Sequence, residues 1–141
     1  MKDQEFSAQG YSPVVADHMR NPRHWGIMRH SDGYAKITGT CGDTMEISLN
    51  VKNNLIAKCT FDTDGCGATV ACGSMVAEMA TGKPLTIARQ IDQNMILDYC
   101  GGLPEGNTHC ALLAANTLRR AIDDCVQTRK TPWKRFYRME K

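Results

Sequence analysis

The sequence predicts an α+β fold, a three-stranded antiparallel sheet packed against helices, and three observations carry that prediction. Between Gly33 and Thr63, three runs alternate apolar and polar residues with a period of two, which turns one strand face inward. From Gly67 onward, apolar residues recur at intervals of three and four, the spacing of one helix face. The two patterns do not interleave, so the sheet is segregated from the run of helices that follows it.

The elements follow in order. In "YSPVVADHMRNPRHWG", Ser12 suits an N-cap and Pro13 the first helical turn. The residue before Pro22 is pushed out of the α region, so this helix should stop at "NPR" and lead into a basic loop through Arg29 and His30. The strands are "GYAKITGT", "TMEISLNVK" and "LIAKCTFDT"; the "CGD" turn joins the first two and polar "KNN" makes a hairpin of the second pair. Cys72, Met75, Val76 and Met79 then form one apolar stripe on a helix that Gly82 and Pro84 terminate. "PLTIARQIDQNMILDYC" reads as one or two short helices and "GGLPEGN" as a loop. A final helix from about Thr108 to Gln127 carries Leu118, Ile122 and Cys125 on one face.

A chain of 141 residues suits a single domain with a core of its own, spanning 1–141. A net charge of +2 gives no global electrostatic case for nucleic acid. No apolar run resembles a signal peptide or a membrane span, so the expected setting is cytoplasmic, with no membrane partner. In that reducing setting seven cysteines, an odd number, point to metal or catalysis rather than to disulfides.

Three of the seven stand where a core has no use for them. Cys41 lies between Thr40 and Gly42 at a strand end, Cys66 between two glycines before a helix, and Cys110 beside His109 at the start of the last helix. Helix starts stabilise anions, so Cys66 and Cys110 are expected to have lowered thiol pKa values. Together with Asp43 or His109 they make four or five candidate ligands, and soft thiolates select zinc, copper(I) or iron–sulfur clusters. They are 25 and 44 residues apart, unlike the paired cysteines of structural zinc modules. Cys72 and Cys125 lie on apolar stripes and are read as core, while Cys59 sits in a strand and could face either side. Cys100, placed in the loop before Gly101, is read as packing, with a reserve thiol as the lesser alternative. His18, His24 and His30 are read as surface or partner-facing.

The segments "VVADHMRNPRHWG", "CGDTM", "DGCGATVACGSMVAEMATGK" and "HCALLAANTLRRAI" together resemble the IscU/NifU-type iron–sulfur cluster assembly scaffolds, over roughly Tyr11 to Val126. The resemblance implies a SufE/NifU-like architecture in which Cys41, Cys66 and Cys110 converge at one end, with Asp43 and His109 completing or modulating the site. It implies a carrier rather than an enzyme, with no catalytic residue in the strict sense. A [2Fe-2S] cluster would be built from an iron donor's iron and a cysteine desulfurase's sulfur, then passed to apo acceptor proteins. Cys110 or Cys41 would accept the persulfide, since attack needs an exposed thiolate. Zinc suits the same ligands and could occupy them in the isolated protein. The alternatives are a zinc-dependent sulfurtransferase and a stable iron–sulfur electron carrier; four-cysteine ligation is the norm for the latter.

The short Cys66–Cys110 interval and the histidine before Cys110 set the chain apart from the SufU branch. Two departures from the family remain. Where its members carry "LPPVK", the segment bound by a dedicated Hsp70-type chaperone, this chain reads "LPEGN", which leaves that chaperone a doubtful partner. The tail "TRKTPWKRFYRMEK" extends the core at 127–141 with six Lys/Arg, and reads as a terminal helix or docking arm. A homo-oligomer is left open.

Overall fold

The computed structural model describes residues 10–130, so the tail beyond Lys130 and its expected role lie outside the described residues. Helix α1 spans Pro13–Arg20, with the Ser12 hydroxyl accepting the Val15 amide at 3.2 Å, as the capping reading expects. Strands β1 (Gly33–Thr38), β2 (Thr44–Lys52) and β3 (Leu55–Thr63) form an antiparallel meander in the order β1-β2-β3. Asn53 and Asn54, at φ 55° and 65°, make the two-residue turn between β2 and β3, where asparagine tolerates the left-handed region. β1 stops two residues short of its expected end. The Gly39 amide donates to the Asp43 carbonyl at 2.8 Å in the register of the ladder, closing a loop over 39–43.

Met45, Ile47 and Leu49 of β2 lie on the inner face opposite Thr63, Phe61 and Cys59 of β3. Cys59 is therefore a core thiol, and burial pushes its pKa up to about 12. On the outer face Ser48 and Thr60 share a 2.6 Å hydrogen bond, and the segment after α1 covers them through the Met28 amide, 3.0 Å from the Ser48 hydroxyl.

The inner face is covered by α2 (Gly67–Ala80) against β3, and by α5 (Thr108–Lys130) against β1 and β2. The short α3 (Leu85–Ala88) and α4 (Gln93–Cys100) connect them; α4 packs on α5 and α2, and α1 on α2. Glycine is required where α2 meets the sheet, because a Cβ on Gly73 would lie 2.4 Å from a Phe61 ring carbon. Among the described residues, no helix is long and apolar enough to cross a membrane.

Three expectations are corrected here. α2 carries no single apolar stripe. With sheet, α1, α4 and α5 around it, it is buried almost all round, including Thr69 and Ser74, while Met79 is only half-buried. His18 is not on the surface. It lies on the face of α1 turned to α2, 5% exposed, with Nδ1 2.7 Å from the Ser74 hydroxyl. Cys100 is not a loop residue but the last residue of α4, buried, its thiol raised in pKa by that burial; it packs in the core and is not poised as a reserve.

Gly33 marks the closest approach of β1 to α5: a Cβ there would meet the Ala121 carbonyl oxygen at 2.5 Å and the Cys125 Cβ at 2.7 Å. Backbone cannot yield cheaply. Gly33→Ala should lower stability by about 1–3 kcal/mol, the usual range for overpacking, read as a lower urea midpoint at unchanged slope.

Candidate metal centre

The chain brings three starts and ends of elements to one end of the sheet. The 39–43 loop carries Cys41 and Asp43, Cys66 is the N-cap of α2, and His109 and Cys110 lie in the first turn of α5. Gly42, at φ 93°, gives the loop a left-handed step that places Cys41 at its exposed tip.

Asp43, Cys66 and Cys110 meet at a residue the sequence reading missed. The Thr69 hydroxyl lies 2.8 Å from Asp43 Oδ2, 3.3 Å from Cys110 Sγ and 3.5 Å from Cys66 Sγ. The one signal for it was spacing. Thr69 stands three residues after the N-cap cysteine, where an N-capping side chain finds its amide partner. His109 Nε2 lies 3.7 Å from Cys110 Sγ. Cys41 stands further out, within electrostatic reach of Cys110 but with no direct hydrogen bond to it. The five candidates are neighbours, not a closed shell. Among the described residues, no three Cys, His, Asp or Glu side chains are gathered as a ready metal-binding group.

The thiols differ in character. Partial burial opposes the Cys66 thiolate, but the polar start of α2, with the Thr69 hydroxyl alongside and the amides of Thr69 and Ala68 donating, outweighs it, so its pKa falls below the ordinary value. Cys110 goes the other way. It is 1% exposed, and burial pushes its pKa up to about 11 despite the polar Thr69 hydroxyl beside it, with Cys66, Cys41 and Asp43 adding like charge. The expectation that both helix-start thiols are activated therefore holds in direction for Cys66 and fails for Cys110. Being in the first turn of a helix stabilises an anion, but not enough to offset removal from water. Cys72 is fully buried one helical turn behind Thr69, its thiol pushed up by desolvation first and then by the thiols of Cys110, Cys100 and Cys66.

A second unforeseen neighbour is Tyr11. Burial raises its pKa, with the charges of Cys66 and Cys110 adding to the shift, and its hydroxyl accepts a 3.1 Å hydrogen bond from the Asn107 side-chain amide. Asn107 belongs to the "LPEGN" segment, which forms a 3₁₀ turn over Glu105–Asn107 leading into α5. Asn107 thus ties this turn to the segment preceding α1.

Set beside known proteins, residues 10–131 match the model of the NifU-like N-terminal domain. The chain is 44% identical over 115 residues to "Iron-sulfur cluster assembly scaffold protein IscU 1" of Archaeoglobus fulgidus, covering 81% of this chain and 75% of that one. It is 38% identical over 117 residues to the IscU scaffold protein of Aquifex aeolicus, covering 81% and 74%. Among solved structures, the N-terminal part of a NifU-like protein from Brucella abortus superposes with a TM-score of 0.63 at 18% identity, over 82% of this chain and 93% of that one. A candidate SUF-system scaffold from Fervidobacterium islandicum gives 0.65 at 20% identity, over 82% and 98%. At those identities the two structures speak for the fold alone, and they share its α+β architecture.

Proposed function

Because the chain belongs to the NifU-like N-terminal domain family, we infer that it is an iron–sulfur cluster assembly scaffold, and we propose how its residues serve that role. Cys41, Cys66 and Cys110 hold the nascent cluster as thiolates, and Asp43 or His109 supplies the remaining position. The observation that supports this set best is the meeting of Asp43, Cys66 and Cys110 around one hydroxyl at that end of the sheet. Soft thiolates suit iron–sulfur iron, and one harder oxygen or nitrogen donor leaves the fourth position exchangeable. The cargo is a [2Fe-2S] cluster on this reading, and the compartment a reducing, cytoplasm-like one that keeps the seven free cysteines as thiols.

Sulfur arrives from a cysteine desulfurase by thiol exchange. An acceptor thiolate attacks the outer sulfur of the desulfurase persulfide, a new S–S bond forms, and the desulfurase cysteine leaves as thiolate. Cys41 is exposed and meets that attack without rearrangement; Cys110, buried, serves only after this end opens. Iron donor and apo acceptors approach the same end.

Anaerobic addition of ferric iron and sulfide, which already carry the oxidation level of the oxidised cluster, tests the reading. Brown protein is expected, with equimolar iron and labile sulfide that move to an apo-ferredoxin. Colourless protein retaining one zinc and no sulfide, yet passing persulfide sulfur onward, would instead establish the sulfurtransferase. A cluster that cycles reversibly between oxidation states without transfer would make the chain an electron carrier.

A further inference from the structure

The candidate site has a centre, and it is an oxygen. Thr69 is fully buried, and its single hydroxyl contacts Asp43, Cys66 and Cys110 together. A hydroxyl has one proton to give. A carboxylate is a far better acceptor than sulfur, so the proton points at Asp43 Oδ2, 2.8 Å away, and the two sulfurs lie against the same oxygen at 3.3 and 3.5 Å. That bond joins the 39–43 loop to α2. Independent geometry shows that the carboxylate sits in a slot built for it: a Cβ on Gly65 would lie 2.7 Å from Asp43 Oδ2 and 2.7 Å from Thr69 Cβ. Only glycine at position 65 leaves the carboxylate room to reach the hydroxyl.

We propose that Thr69 is a positioning residue, a latch that holds the loop bearing Cys41 and Asp43 against the starts of α2 and α5 while the site is empty, and releases Asp43 as iron enters. An ion drawing Asp43 Oδ2 and both sulfurs to itself competes with the Thr69 hydroxyl for the same three atoms, so loading is expected to release the latch. The idea rests on the scaffold reading for its purpose, but not for its first test, which uses the empty protein.

Amide hydrogen exchange in the loop reads the latch directly, through the Gly39 amide bonded to the Asp43 carbonyl and the Gly42 amide bonded to the Gly39 carbonyl. Thr69→Val keeps the shape and removes the hydroxyl; Thr69→Ser keeps the hydroxyl. Valine should speed exchange at both amides about tenfold, the scale of a charge-assisted hydrogen bond, and serine should restore wild-type exchange. Gly65→Ala, whose added Cβ would crowd both the carboxylate and Thr69, should reproduce the valine result and serves if the valine variant does not fold. Stopped-flow uptake of cobalt(II) should be faster in Thr69→Val than in wild type or Thr69→Ser. Wild-type exchange in both Thr69→Val and Gly65→Ala, or serine behaving as valine, overturns the latch. Cobalt uptake no faster in Thr69→Val overturns release on loading. A wild-type protein that builds no cluster but shows the exchange pattern would defeat the scaffold reading and leave the latch standing.

Discussion

Serine in place of Cys41, Cys66 or Cys110 is expected to abolish stable cluster reconstitution, while Cys72→Ser retains it. Serine keeps size and hydrogen bonding but offers a hard oxygen where iron–sulfur iron needs a soft thiolate, so the loss should be near complete rather than graded. Cys72 is a demanding control because it is no remote thiol. It lies on α2 one turn beyond Thr69, within electrostatic reach of Cys66 and Cys110, yet it is sealed in the core with its thiol pKa well above the ordinary value. Cys110 is buried too, but it shares the Thr69 hydroxyl with Asp43 and Cys66, whereas Cys72 lies one turn further along α2. The measurement is visible absorbance and labile sulfide after anaerobic reconstitution, with circular dichroism to confirm folding. A folded Cys72→Ser that loses its cluster, or a folded Cys66→Ser that keeps it, sinks the assignment.

Asp43→Cys should give a cluster that resists chelators and reaches an apo-ferredoxin about tenfold more slowly, the lower end of the effects seen when groups tuning a metal site are changed. A permanent iron–sulfur site is ordinarily closed by four cysteines, and Asp43 stands where a fourth thiolate could be. Carboxylate oxygen binds such iron less well and is more readily displaced, by protonation or by an incoming acceptor ligand. The familiar alternative is that an aspartate beside glycine accepts amide hydrogens to shape its turn. Here the main chain closes the loop, through the Gly39 amide and the Asp43 carbonyl, while the carboxylate takes the Thr69 hydroxyl. Transfer at the wild-type rate, from a variant shown spectroscopically to have gained a fourth thiolate, would remove Asp43 from any role in cluster exchange.

Much of the molecule was determined by sequence alone, because the forces that fix it are local. The period of two over 44–52 and 55–63 and the "NN" turn between them specify a hairpin, within which the register shifts once, between Asn50 and Val51. Ser12 and Pro13 set the start of α1 through capping chemistry confined to four residues. Glycine flanks and helix starts singled out Cys41, Cys66 and Cys110 for the same reason, and the motif order carried the family. What the sequence left undecided depends on packing between elements distant along the chain. Cys59 could face either way until the helices chose a face of the sheet, and His18 became buried only because Ser74, 56 residues on, offered it a partner. The difference between Cys66 and Cys110 belongs here too. Both stand at helix starts, but desolvation is set by whatever surrounds a thiol, and only Cys110 is enclosed. Thr69 reads as one more small residue in an apolar helix; it becomes the hub of the site because β1–β2, α2 and α5 bring a carboxylate and two sulfurs to the same hydroxyl. Local propensity fixes where elements begin, whereas burial and meeting points are properties of the assembled core, which no short window of sequence contains.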